Sequence, residues 1–92
     1  MTVVVVLSAK ASRQLELLLE YLETEWSPES RRKFQRRLNR FVQILKTVPN
    51  GFPISQKYPD CRKCVVTPQT SLVYRVNGDF IEIVAILDNR QG

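Results

Sequence analysis

Cys61-Arg62-Lys63-Cys64 sets two thiols, a guanidinium and an ammonium at four consecutive positions. A C-x-x-C spacing can form a redox pair or half of a zinc site. A redox pair normally opens a helix, and a zinc site needs further ligands that this chain does not supply. Val65-Val66-Thr67 follow, so the segment reads as a strand. Alternation along a strand sends Cys61 and Cys64 to opposite faces, which predicts two ordinary strand cysteines. Histidine is absent from all 92 residues. Ser-His-Asp, Cys-His and His-based metal schemes are thereby excluded. No metal site and no cofactor is expected.

Without histidine, proton transfer falls to a perturbed lysine or tyrosine, and arginine can clamp a phosphate. Side chains of this kind come from one loop and three strands. Lys57 lies in the loop, Arg62 and Lys63 on one strand, Tyr74 and Arg75 on the next, and Arg90 just past the last. Alternation brings one of each strand pair to a common open sheet face, so basic groups converge there. Each residue also has a plainer reading. A tyrosine in a strand is often core. Arg75 has Glu82 across a hairpin as a partner.

The element that positions these residues is a strand–turn–strand at 71–90. Two runs rich in Val, Ile, Tyr and Phe flank Asn77-Gly78, which predicts a hairpin with a type I′ turn. On the second run Ile81, Ile83, Ala85 and Leu87 form one apolar face, and Phe80, Glu82, Val84, Ile86 and Asp88 the mixed one.

Residues 2–7 read as a first strand, with little alternation and therefore covered on at least one face. Ser8 is a helix N-cap residue. Ala11, Leu15, Leu18, Leu19 and Leu22 follow a helical stripe, with Trp26 one turn on as a packing anchor. Ser27-Pro28 restarts a helix over about 28–47, with Pro28 at its first position. Phe34, Leu38, Phe41, Leu45 and Val48 are its apolar stripe. The short connection makes a helical hairpin. Prolines and a glycine keep 49–59 irregular, with Phe52, Ile54 and Tyr58 pinning the loop. Strands follow at 61–67 and from 71 onward. The order is β-α-α-β-β-β: an α+β chain with a helical hairpin on one face of a mainly antiparallel four-stranded sheet. Residues 1–92 read as a single domain.

The net charge is +5, from 14 Lys and Arg against 9 Asp and Glu. A basic balance favours a polyanionic or acidic partner. Arg31, Arg32, Lys33, Arg36, Arg37 and Arg40 fall within ten positions of the second helix. That run is either a solvated face or an electrostatic footprint for nucleic acid or an acidic protein. The Val3–Leu7 run lacks a basic lead and is not a signal peptide. No stretch is long enough to span a membrane. A cytoplasmic location is expected.

Several strings in this order resemble the RelE/ParE superfamily of bacterial toxins from type II toxin–antitoxin modules. They are L-S-x-x-A at 7–11, the hairpin with a tryptophan at its bend, P-D-C-R-K at 59–63, L-V-Y-R-V at 72–76 and I-L-D-N-R-Q at 86–91. The resemblance implies a small basic toxin neutralised by an acidic antitoxin. One branch cleaves messenger RNA on the ribosome without metal; the other poisons DNA gyrase by protein contact. Lys63 matches a functional lysine of the ribonuclease branch, and Arg90 the arginine after its last strand. The ribonuclease third-strand arginine is replaced at Thr70-Ser71, and the second lysine by Val65. The C-terminal tyrosine or histidine of that branch has no counterpart up to Gly92.

The candidate catalytic set is therefore Lys63, Arg90 and Arg62, with Lys57, Arg75 and Tyr74 as binding residues or substitutes. The broken nuclease pattern favours the gyrase-type, ParE-like branch. A ribosome-dependent ribonuclease with a non-standard set, and an inactive antitoxin-binding member, are the alternatives. In each case the antitoxin is expected in a groove beside the helical hairpin, its acidic residues near Arg32, Arg36 and Arg40. That groove, unmasked, is also a homodimer surface.

Overall fold

A computed structural model describes residues 3–89. The observed order is β1 (Val4–Leu7), α1 (Ala9–Glu25), α2 (Pro28–Thr47), β2 (Arg62–Thr67), β3 (Thr70–Asn77) and β4 (Phe80–Asp88). The sheet runs β1-β4-β3-β2, with β1 parallel to β4 and the other pairs antiparallel.

Local chemistry sets the helix starts. Ser8 has extended backbone, and its Oγ accepts the Ala11 N–H at 3.0 Å. Ser27 does the same for Ser30, at 3.0 Å, with Pro28 directly inside the helix. Each cap satisfies an N–H that the helix leaves without a partner. Two residues, Trp26 and Ser27, join the helices, and Arg31 pairs with Glu23 across the bend at 2.9 Å.

Leu19, Phe34, Leu38 and Leu45 pack from the helices onto Cys64, Val66, Leu72, Tyr74, Ile81 and Ile83. A smaller cluster of Cys61, Val73 and Ala85 lies on the other face, partly covered by Tyr58, Val84 and Leu87. Cys61 and Cys64 thus point to opposite faces, as alternation requires, and both are buried free thiols.

Four expectations are corrected. First, the β4 faces change over midway. Val73 pairs with Ala85 and Tyr74 with Ile83, so Val84 is an extra residue in β4. A bulge shifts alternation by one. Ile86 therefore joins Ile81 and Ile83 under the helices, while Ala85 and Leu87 turn to the opposite face. Side chains finish the β4 edge beyond the end of β1: Ser8 Oγ donates to Val84 O at 2.8 Å, and Ile86 N–H donates to Gln14 Oε1 at 2.8 Å.

Second, Asn77 belongs to the ladder, paired with Phe80, and the turn is Gly78-Asp79. Of these two turn residues only Gly78 has a positive φ, +62°. Glycine at the first central position, followed by a residue of negative φ, makes the turn type II′ rather than I′. Third, Trp26 is no packing anchor. It is 69% exposed, because the helix ends at Glu25 and the chain turns away before the stripe can continue. Fourth, Ile54 points outward and does not pin its loop.

Candidate functional site

β2 divides the candidate side chains between the two faces, and alternation brings one of each strand pair, Lys63 and Arg75, to the open face. Arg62 shares the helix-covered side with Cys64 and lies opposite Tyr74. Its guanidinium donates to Phe52 O at 2.7 Å. Tyr74 is fully buried, and its hydroxyl donates to Pro49 O at 2.6 Å. Burial raises its pKa, with the Arg62 charge partly opposing. The Phe52 ring meets the Tyr74 ring edge-on at 6.3 Å. Arg62 and Tyr74 therefore fasten the 49–60 loop to the sheet.

Lys63 and Arg75 lie on the opposite side, with Cys61 and Val73. Arg75 donates to Glu82 at 2.8 Å, directly across the hairpin, as its register position predicts. Lys63 keeps its ammonium without a hydrogen-bond or ion-pair partner among the described residues. Nearby, Lys10 Nζ approaches Tyr58 Oη at 3.4 Å and lies over its ring. Lys57 is exposed, with its backbone N–H on Ser55 Oγ. Arg90 lies outside the described residues. Burial pushes the Cys64 thiol up to about 11, and raises Cys61 as well. Neither sulfur is poised as a thiolate.

The second candidate surface is apolar. A groove of ≈ 400 Å³ opens between β1 and the helices. Val3, Val4, Val5 and Leu7 form one wall, Leu15, Leu38 and Val42 the other, and Leu72, Ile83 and Ile86 the floor. Asn39 and Lys46 are its polar rim. Beside it, β1 is an edge strand with Val4 53% exposed, and with Val6 and Leu7 also outward. The unalternating Val3–Leu7 run was the signal for this surface. It reads as a covered strand, yet the described residues cover only part of it.

The third surface is the outer face of α2. Arg32, Lys33, Arg36 and Arg40 are all exposed there, opposite buried Phe34, Leu38 and Leu45. None of them lines the apolar groove. Glu29 holds Arg32 at 2.9 Å and Arg36 at 3.6 Å. The hydrogen bond from Arg32, and then its charge, keep the Glu29 carboxyl below its ordinary range. Arg37 is exposed as well, but its guanidinium reaches β2, donating to Val66 O and lying over the Phe41 ring.

The family described as "ParE toxin of type II toxin-antitoxin system, parDE" matches residues 5–92. The chain belongs to that ParE toxin family. Solved structures share its fold. The chromosomal ParDE toxin–antitoxin system from P. aeruginosa aligns with TM-score 0.80 at 22% identity, over 95% of this chain and 96% of that one. The E. coli DinJ–YafQ toxin–antitoxin complex aligns with TM-score 0.67 at 12% identity, covering 99% and 97%. A YoeB/ParE toxin from Agrobacterium tumefaciens gives TM-score 0.67 at 15% identity, covering 94% and 98%. No curated protein matches. Among the described residues of this ParE-family toxin, no helix is long and apolar enough to cross a membrane.

Proposed function

We propose that this chain arrests growth by binding an essential nucleic-acid machine of gyrase type in the cytoplasm, and that it does not cut RNA. The observation that carries this reading is the engagement of the candidate nuclease groups. Tyr74 is buried with its hydroxyl donating to Pro49 O, and Arg62 is spent on Phe52 O across the sheet from Lys63. A general base must reach the proton it takes, and a phosphate clamp must face the same pocket. Val65 and Thr70-Ser71 stand where ribonuclease relatives carry cations, and Thr70 and Ser71 are buried. Membership of the ParE family supports the same branch.

The test is induction of the chain alone in bacteria, with RNA 5′ ends mapped while double-strand breaks are scored. Breaks with intact messages are expected. New in-frame cuts in translated messages, lost on Lys63→Ala, would replace this reading with ribosome-dependent cleavage. Unimpaired growth would leave only the inactive, antitoxin-binding reading.

The partner proposed for the groove is a cognate antitoxin. Its apolar residues would fill the space between β1 and α2, and an extended stretch would add to the open β1 edge. The P. aeruginosa and E. coli neighbours are toxin–antitoxin assemblies, which supports such a partner. Size-exclusion of the co-expressed pair should give one complex. A chain that stays dimeric with the antitoxin present would mean that a second copy holds the groove instead.

A further inference from the structure

We infer that the outer face of α2 is a phosphate-binding stripe for duplex DNA, with Glu29 as its internal counter-ion. The inference rests on the DNA-machine reading above and gives that machine's substrate a seat on the toxin.

Of the six basic residues at positions 31–40 of α2, two serve the fold. Arg31 pairs with Glu23 of α1, and Arg37 caps Val66. Arg32, Lys33, Arg36 and Arg40 remain, all on the solvent side. Positions 32, 36 and 40 are one helical step of four apart, so they stack in a line about 12 Å long. Four of the 14 cations of a chain with net charge +5 are gathered on this face.

What surrounds the stripe selects the occupant. Gln35, Asn39 and Gln43 flank it, all exposed and polar, and apolar side chains adjoin it at its C-terminal end, where Arg40 meets Ile44 and the 46% exposed Val48. The helix's rings are turned away: Phe34 is buried, and Phe41 is half-buried with Arg37 over it. Single strands are held largely by stacking on exposed aromatics. Protein interfaces need apolar or aromatic anchors. A duplex backbone needs neither: cations replacing condensed counter-ions give affinity without sequence preference. The exposed Glu16, Glu20, Glu23 and Glu25 of α1 repel the same polyanion, so only one side of the hairpin can face it.

Glu29 makes the inference sharp. It occupies Arg32 and Arg36, while Lys33 and Arg40 have no side-chain partner among the described residues. A phosphate must compete with that carboxylate. Removing the carboxylate should therefore strengthen binding, a gain that a merely solvated charge run would not show.

The experiment is fluorescence anisotropy of a labelled mixed-sequence DNA duplex titrated with the full antitoxin-free chain across a salt series. Four phosphate contacts predict a slope of log K against log salt of about −3 to −4. Arg32→Gln/Arg36→Gln/Arg40→Gln should flatten it by about 3, at about one per lost contact. Glu29→Gln should tighten binding several-fold at low salt. Circular dichroism and the thermal midpoint verify that both variants fold. A flat wild-type slope, an unchanged triple variant or weaker binding by Glu29→Gln overturns the inference. Tighter binding to an RNA duplex than to DNA overturns the DNA assignment. So does a triple variant that loses antitoxin affinity while DNA binding persists. Trapping of gyrase-cleaved DNA is scored in parallel. Equal trapping by wild type and triple variant with no duplex binding removes the stripe and leaves the proposed function standing. Salt-dependent duplex binding without trapping does the reverse.

Discussion

The two edges of the sheet are finished in opposite ways. At β2 the loop lies alongside: Ser55 N–H donates to Cys61 O at 2.8 Å, and Lys63 N–H to Pro53 O at 2.9 Å. Ile54 forms an isolated bridge with Arg62, and Arg37 covers Val66 O. At β1 nothing among the described residues does this. Val4, Val6 and Leu7 are exposed on a short strand beside an apolar groove. Unblunted edges are templates for pairing with another chain, and proteins usually block them. One edge is closed by the chain itself, and the other is open among the described residues.

Unhooking the loop should have the largest effect. Phe52→Ala removes the ring packed on Tyr74 and should cost about 2–3 kcal/mol, moderated because Phe52 is half-buried. It should also open β2, giving concentration-dependent self-association by sedimentation. A loss below about 1 kcal/mol in urea unfolding would mean that the loop is not what closes that edge.

At the open edge, Val4→Lys should weaken antitoxin binding at least tenfold, about 1.4 kcal/mol by calorimetry. Stability should change by less than about 1 kcal/mol, since Val4 is mostly exposed. Unchanged affinity would remove β1 from the interface. At the closed edge, Arg37→Met keeps a stem over Phe41 but leaves Val66 O without its donor. The expected loss is about 1 kcal/mol, with antitoxin affinity intact.

Much of this contrast was legible in the residues, but unevenly. Ser8 and Ser27-Pro28 mark helix starts by chemistry that acts within three positions, so α1 and α2 were readable. The β4 faces were not. A two-residue period has no symbol for the extra residue at Val84, which appears only when β4 is laid against β3. The separation of Arg62 from Lys63 followed from alternation, but which of them met Tyr74 depended on register. Arg37 looked like its neighbours in the charge run, and only its place above β2 shows that it serves the fold. The Val3–Leu7 run was visible, but its apolar character cannot distinguish a strand covered by its own chain from one awaiting another.

The thiols flank the closed side and give it a pH signature. Burial raises Cys64 from 9.0 to about 11, and raises Cys61 and Tyr74 in the same direction. A folded pKa above the unfolded one means that the native state holds its proton longer. That stabilisation is complete below the unfolded pKa and is lost as pH rises through the folded one. Urea midpoints should therefore fall between pH 9 and about 11, and Cys64→Val should flatten the fall. An unchanged fall would assign the loss to other groups.

The smallest effect belongs to Arg75 and Glu82. They face each other on the open side of the hairpin at 2.8 Å, with Arg75 well exposed. Water screens such a pair, and a double-mutant cycle with Arg75→Ala and Glu82→Ala should give a coupling of about 0.2–1 kcal/mol. The pair lies on an antiparallel rung between two inner strands, remote from the choice between edges, so neither variant should alter self-association or antitoxin affinity. A coupling well above about 1 kcal/mol would mean that the open face is drier than its exposure indicates. The contrast that matters would then run between the faces of the sheet, with Lys63 and Lys10 beside Tyr58 as the first side chains to reconsider.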